Sequence, residues 1–198
     1  MDNQTRSENT RKKAIEAALT ILTHEGVGGL TFDSLSRESG ISKGGLLHQF
    51  RTKNGVLKAL LEHQQEQFDQ IAREHMVKDG AAKVEPCLSS QIAIYRESVK
   101  QPHSVARAIL AALVASPELL EDLKATDAAK MKKLREESAD LELSLLRYFA
   151  ASGLAFNSLL GLSPLPESML NRLFARLLDE TAWAVHRSEP KARRRVAR

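Results

Sequence analysis

Apolar residues recur at helical spacing along most of this chain, and this feature limits the fold more than any other. Ile15, Ala18, Leu19 and Leu22 follow the i, i+3, i+4, i+7 pattern of one buried helical face. We find no run that alternates strictly between apolar and polar residues, as a half-buried strand does. The sequence therefore predicts an all-α fold of about nine helices.

Capping residues and glycines divide the first part of the chain into short helices. Thr10 is a candidate N-cap for a first helix, which the glycines of residues 26–29 end. Thr31 is the predicted N-cap of a second helix over residues 32–39, and Gly40 stops that helix.

A third helix follows after a very short turn. Ser42 is its predicted N-cap and Phe50 its end, and Thr52 then opens a long fourth helix that fades near Lys78. Two helices joined by a short glycine turn form the helix-turn-helix motif, predicted here over residues 31–50.

The remaining sequence predicts five further helices, separated by prolines and glycines. They cover residues 86–99, 104–115, 118–137, 139–160 and 167–186.

Composition and charge set further limits. A chain of 198 residues with 42% hydrophobic content can bury a core, and its single Cys87 excludes an intrachain disulfide. The polar N-terminal segment does not resemble a signal peptide, and no apolar stretch is long enough to span a membrane. We therefore expect a cytoplasmic protein without a membrane partner.

The charge distribution favours a nucleic-acid partner at one end, although a solvated surface remains the alternative. The chain carries a formal net charge of +4, with a basic front, an acidic middle and a basic tail. We predict three segments: a DNA-binding domain over 8–62, a helical ligand-binding and dimerisation domain over 63–188, and a flexible tail over 189–198. The tail's basic residues either attract DNA nonspecifically or only solubilise the chain.

The N-terminus of the third helix carries the chemistry expected of a DNA-reading element. The second helix of a helix-turn-helix enters the major groove with its N-terminal residues near base edges. A hydroxyl, an ammonium group and small residues suit phosphate and base contacts there. The predicted DNA-binding residues are Thr31, Ser42, Lys43, Gly44, Leu47, His48, Gln49 and Lys53.

The segment Gly40-Ile41-Ser42-Lys43-Gly44-Gly45-Leu46-Leu47-His48-Gln49-Phe50-Arg51-Thr52-Lys53 resembles the recognition segment of the TetR family, and residues 10–60 resemble its DNA-binding domain. Three positions depart from the family pattern. Leu47 replaces a tyrosine that commonly touches phosphate, Gln49 replaces an aromatic residue or histidine, and Asn54 replaces a glutamate. Leu47 could contact a thymine methyl and Gln49 could pair with adenine; we interpret Asn54 as a capping variation.

Beyond residue 62 the resemblance is architectural. It implies a dimer formed by the last two long helices, a pocket for a small hydrophobic effector, and repression of transcription at double-stranded operator DNA. Both helices carry more apolar surface than one buried face needs, which favours an intersubunit bundle over a thick monomer core. The predicted interface residues are Leu145, Phe149, Phe156, Leu160, Leu170, Leu173, Phe174 and Leu177.

Enzymatic and metal-binding functions find no support in the sequence. No acid, base and nucleophile converge in a recognisable motif, and the six histidines form no metal-binding spacing. We expect no cofactor and no metal. Cys87 follows Pro86 at a helix start, where a redox role is the alternative to simple packing. Tyr95 and Trp183 are either pocket walls or packing aromatics.

Overall fold

The computed structural model describes residues 3–184, apart from the side chains of residues 3–6, 104 and 122. Within this stretch the chain is helical almost throughout, without a strand, as predicted. A 3-10 turn at Gly80–Ala82 separates α4 from α5. The helices are α1 (Asn3–Gly29), α2 (Phe32–Ser39), α3 (Lys43–Phe50), α4 (Lys53–Lys78), α5 (Pro86–Ser98), α6 (His103–Ala115), α7 (Glu118–Glu137), α8 (Leu141–Leu159), α9 (Glu167–Leu178) and α10 (Thr181–Ala184).

The first four helices share one hydrophobic core with α6 and the start of α7. Leu46 of α3 and Leu57 of α4 are completely buried in this core. Ala108, Ala112 and Leu119 belong to the same cluster, and α6 packs directly on α1. The predicted domain boundary at residue 62 falls inside α4, and the domain limits stay a prediction.

A second core joins α5, α7, α8 and α9. Leu88 and Ile92 of α5 pack in it with Phe174 of α9, and all three are completely buried. Tyr95 and Tyr148 meet edge to face at its margin, with 5.7 Å between ring centroids, and the Tyr95 hydroxyl donates to the Tyr148 oxygen at 2.9 Å. Tyr95 is therefore a packing aromatic of this core.

A buried ion pair links three parts of the second core. Arg147 of α8 and Glu85, just before α5, have side chains that are 3% and 6% exposed, and Nη1 of Arg147 lies 2.7 Å from Oε2 of Glu85. Arg147 also donates through Nε and Nη2 to the carbonyl of Leu177, and the Ser144 hydroxyl donates to Oε1 of Glu85. The network connects the start of α5 to α8 and the end of α9.

The predicted start of the first helix is wrong. Thr10 lies inside α1, which already includes Asn3, and therefore is not an N-cap. The glycines predicted to end the first helix do interrupt it. Gly26 has φ +70°, where residues with a side chain are strained, and α1 kinks at this residue.

The last predicted helix is interrupted. It ends at Leu178, and Oδ1 of Asp179 accepts from both the backbone N–H and the hydroxyl of Thr181, at 3.0 and 2.6 Å. A short side chain that bonds nearby backbone in this way competes with helix continuation. The predicted end near residue 186 and the predicted basic tail over 189–198 lie outside the described residues.

Candidate nucleic-acid interface

Local hydrogen bonds fix the geometry of the α2–α3 pair. Thr31 and Ser34 form a capping box: the Thr31 hydroxyl accepts from the Ser34 N–H at 3.0 Å, and the Ser34 hydroxyl accepts from the Thr31 N–H at 2.9 Å. Gly40 ends α2 at φ +69°, with its N–H donating to the Ser36 carbonyl. Ser42 then caps α3 by accepting from the Gly45 N–H at 3.2 Å. The predicted caps at Thr31 and Ser42 are confirmed.

Gly55 allows α4 to begin immediately beside the end of α3. A Cβ atom at this position would overlap the carbonyl oxygen of Phe50. Thr52 caps α4 by accepting from the Gly55 N–H at 3.0 Å, as its predicted role requires. Because Phe50 and Leu46 anchor the inner face of α3 in the core, the opposite face is held outward.

The outward face of α3 contains the side chains predicted to read DNA. Lys43, Gly44 and His48 are exposed, and Leu47 is 41% exposed although it is apolar. No heavy atom lies within 4 Å of a Cβ built on Gly44, so a ligand backbone can approach that residue closely. Thr31 and Ser42 are also exposed at the N-termini of their helices.

Both lysines predicted to contact DNA already bond to other groups within the chain. Nζ of Lys43 lies 2.8 Å from Oδ1 of Asp33 and 3.0 Å from Oδ2. Nζ of Lys53 donates to the Val27 carbonyl at 2.5 Å, and this residue is half-buried. Lys43 must leave an anion before it can bind a phosphate, whereas Lys53 is partly a structural residue between α4 and the end of α1. No sequence motif indicated that Asp33 would hold Lys43.

Gln49 is half-buried, and its Oε1 accepts from the hydroxyl of Ser7 at 3.3 Å. The N-terminal turns of α1, which lie before the predicted start of this helix, therefore reach α3. Arg11 also connects α1 to α4 through an ion pair with Glu62 at 2.6 Å.

Asn54 does not act as a cap, and the interpretation of this residue as a capping variation is wrong. Its amide donates to the Glu118 carboxylate, and its Oδ1 accepts from the Ser116 hydroxyl at 3.1 Å. Ser116 is a buried residue between the end of α6 and the start of α7, so Asn54 contacts the turn that joins these two helices. Asn54 thereby connects the start of α4, beside the DNA-reading helix, to the helices behind it.

The eight predicted interface residues separate into two groups. Phe149 and Phe156 are 61% and 54% exposed, and Leu145, Leu160 and Leu173 are partly buried. The other three are buried inside the chain, because the inner face of α9 packs on α5 and α8; they are Leu170, Phe174 and Leu177. Buried side chains cannot contact a partner directly, so we leave these three out of the interface.

Two openings accompany these helices. A groove of about 710 Å³ runs between α8 and α9, lined by Phe149, Gly153, Leu173 and Trp183 among others. A cavity of about 200 Å³ lies among α4, α6, α7 and α8. Trp183 thus faces the groove, and its indole N–H donates to the Arg176 carbonyl at 2.7 Å.

The surroundings of Cys87 disfavour a reactive thiolate. Burial, and then the Glu137 carboxylate, raise the pKa of the Cys87 thiol above its ordinary value. The backbone N–H of Cys87 donates to Glu137 at 2.9 Å. A redox sensor needs a lowered thiol pKa, so these surroundings do not favour that role for Cys87.

Two negative findings hold within residues 3–184. No group of three or more histidine, cysteine, aspartate or glutamate side chains there could hold a metal ion. No described helix is long and apolar enough to cross a bilayer.

The α2–α3 pair, with one face buried and the other presented outward, defines a helix-turn-helix protein, the class of protein that reads DNA with the second helix of the pair. Family models agree in both halves of the chain. Residues 14–60 match bacterial regulatory proteins of the tetR family, and residues 87–182 match the tetracyclin repressor-like C-terminal domain. The chain belongs to the TetR family, whose members are DNA-binding transcriptional regulators and not enzymes.

Individual relatives support this membership over shorter stretches. The HTH-type transcriptional regulator SrpR of Pseudomonas putida is 36% identical over 59 residues, which cover 30% of this chain and 28% of SrpR. The chain thus spans well under half the length of this curated relative.

Solved structures share the fold over nearly their whole length. A TetR-family member from Streptomyces coelicolor superposes with a TM-score of 0.64 at 19% identity, covering 85% of this chain and 97% of that one. The multidrug binding protein EbrR, complexed with ethidium, gives a TM-score of 0.58 at 19% identity with the same coverage.

Proposed function

We propose that this protein is a ligand-responsive repressor that binds a palindromic operator in double-stranded DNA as a homodimer, in the cytoplasm. The observation that carries the proposal is the outward face of α3. It presents Lys43, Gly44, Leu47 and His48 beside an N-terminus capped by Ser42, on a helix whose other face is locked into the core.

Each residue of this face has a role that follows from its chemistry. Lys43 and His48 suit phosphates, and the Ser42 hydroxyl can donate to a phosphate while it accepts from Gly45. Leu47 suits a thymine methyl group, and Gln49 can pair bidentately with adenine once it releases Ser7. These contacts would replace intramolecular ones, because Lys43 currently binds Asp33.

A second copy of the chain suits the exposed apolar surface of α8. Leu146, Phe149 and Phe156 are each more than half exposed, and the groove between α8 and α9 lies beside Phe149. Contiguous apolar surface of this kind marks an interaction site. A two-fold dimer would present two equivalent α3 helices, which is why the operator should be palindromic.

The small-molecule part of the proposal rests on the cavity among α4, α6, α7 and α8. EbrR, which shares the fold, is a multidrug binding protein with structures in complex with ethidium and malachite green. An effector would release the operator only if it bound the DNA-free state more tightly, since equal affinity for both states shifts nothing.

DNA binding is tested by selecting bound sequences from a random duplex pool and footprinting the selected site. We expect two protected half-sites and an affinity that falls steeply with salt, because phosphate contacts release counterions. Lys43→Ala should weaken binding and reduce the salt slope by about one ion. Lys78→Ala, an exposed lysine at the far end of α4, is the matched control and should change neither. Protection of a single half-site would contradict the proposal that a dimer binds the operator.

The dimer is tested by placing a carboxylate on α8. Phe149→Glu should give a folded monomer that loses operator binding, since its ring is exposed in the single chain. Phe174→Glu is the contrasting variant and should unfold the protein, because it buries an unpaired charge in the second core. Light scattering measures the mass and circular dichroism the helix content. A wild type that remains monomeric while bound to its operator would rule out the interface.

A further inference from the structure

The cavity among α4, α6, α7 and α8 is small and lined mainly by apolar side chains. Its volume is about 200 Å³, space for a fused two-ring aromatic molecule, and its walls include Phe68 of α4, Leu113 of α6 and Phe156 of α8. Such apolar cavities with a few polar groups are typical of ligand sites, and the polar groups determine which ligands fit.

The polar groups of this cavity are amides and one hydroxyl. Gln64 and Gln65 contribute from α4, Ser98 from the end of α5, and Gln101 from the turn before α6. Among the described residues that line it, none carries a carboxylate, an ammonium or a guanidinium group. The described part of the wall is therefore uncharged.

Existing hydrogen bonds leave the Gln64 and Gln101 side chains as the most available polar groups. The Ser98 hydroxyl already donates to the Tyr95 carbonyl at 2.8 Å, and the Gln65 amide to Asp69 at 2.7 Å. The Gln64 amide makes a long contact of 3.4 Å with Gln67. A weak bond of that length is easily exchanged for a ligand group.

An uncharged wall discriminates strongly between ligands of equal shape. A cation that enters loses its hydration and gains no opposite charge, whereas a neutral molecule loses little. Phenylalanine is a weaker partner for a cation than tryptophan, so we expect the rings of Phe68 and Phe156 to offset the loss of hydration only in part. An amide can still satisfy one hydroxyl or carbonyl group of a neutral ligand.

We infer that this cavity selects uncharged ligands of two-ring size that carry one hydrogen-bonding group, and that it rejects cations of the same shape. The inference names the effector class of the proposed ligand-responsive repressor, and it rests on that proposal for its regulatory meaning. Binding itself can be measured without DNA.

Calorimetric titration of the full chain near neutral pH with three probes tests the selection. The probes are 1-naphthol, 1-methylnaphthalene and the 1-methylquinolinium cation, of which the last two differ essentially in charge. We expect both neutral probes to bind at least about tenfold more tightly than the cation, and 1-naphthol to bind most tightly. A cation that binds as well as 1-methylnaphthalene, or the failure of all three probes to bind, would overturn the inference.

Isosteric variants locate the selection in the cavity wall. Gln64→Glu should shift the preference toward the cation by about tenfold or more, because it supplies the missing opposite charge. Gln70→Glu adds the same charge on the exposed side of α4, away from the residues that line the cavity, and is the matched control, expected to leave the preference unchanged. Gln101→Glu tests the opposite wall independently if the first variant folds poorly. A preference that none of the wall variants changes would overturn the inference.

The two proposals fail separately. If the neutral probes bind with the expected selectivity but operator affinity stays the same, the cavity assignment holds and the ligand-responsive part of the proposed function is wrong. If operator binding is absent altogether, the titrations still decide the cavity's selectivity.

Discussion

The buried pair of Arg147 and Glu85 allows a quantitative test of what holds the second core together. Arg147→Met keeps most of the side-chain volume but leaves the Glu85 carboxylate without its cation and the Leu177 carbonyl without two donors. Because both side chains are at most 6% exposed, water cannot replace the lost partner. Breaking a buried pair from one side costs about 3–5 kcal/mol of unfolding free energy.

This loss should be visible by two measurements. For a chain of this length, about 3–5 kcal/mol corresponds to a decrease in melting temperature of roughly 6–20 °C. Urea unfolding followed by circular dichroism should show a lower midpoint with an unchanged slope, since the same surface is exposed on unfolding.

The double variant distinguishes the pair from its parts. Glu85→Gln alone leaves the guanidinium buried without a carboxylate and should cost a similar amount. Glu85→Gln with Arg147→Met removes both charges, so it should be more stable than the sum of the single losses implies, and close to the milder single variant. Losses that simply add, or an Arg147→Met variant that loses less than about 1 kcal/mol, would refute the reasoning.

Three further predictions concern the α2–α3 pair and α4. Asp33→Asn should raise operator affinity, because Lys43 no longer has to leave a carboxylate 2.8 Å away; unchanged affinity in a salt titration would mean that Lys43 does not contact DNA. Gly40→Ala should cost about 1–2 kcal/mol of stability in urea unfolding, because φ is +69° and its Cβ meets no neighbour, so the loss is pure backbone strain. Gly44→Ala, also free of neighbours but with ordinary φ, is its control. Burial lowers the pKa of His75 below its usual 6.5, so the unfolded chain takes up a proton first as the pH falls; stability should decline below about pH 6.5, and urea midpoints of His75→Gln should decline less.

Features with a local cause could be predicted from the sequence. Thr31, Ser42 and Thr52 each cap a helix through a bond to a backbone N–H three residues ahead, so residue type and position were sufficient. Gly40 is similar, because the left-handed conformation at a helix end favours glycine wherever the chain must turn.

Features that depend on distant parts of the chain could not be predicted. Asp33 meets Lys43 across the turn, and Asn54 meets Ser116 and Glu118 more than sixty positions away in sequence. Neither contact leaves a periodic signal.

The apolar pattern of the last helices also has a limit. It indicated correctly that α8 is apolar on more than one side, but none of the large apolar side chains of α9 is exposed. It also did not show which side of either helix packs within the chain. Phe174 faces inward while Phe149 of α8 faces outward, and apolar character alone does not distinguish them.

The core that α1–α4 share with α6 and α7 bears on how such a protein could be rebuilt. Transplanting the DNA-reading head onto another body by cutting at residue 62 would divide α4 and remove Ala108, Ala112 and Leu119 from beneath it. It would also leave Asn54 opposite a foreign surface in place of Ser116 and Glu118. A working chimera must therefore contain residues 1–62, the rest of α4, and the parts of α6 and α7 that pack against them. The unit that can be exchanged is discontinuous in sequence.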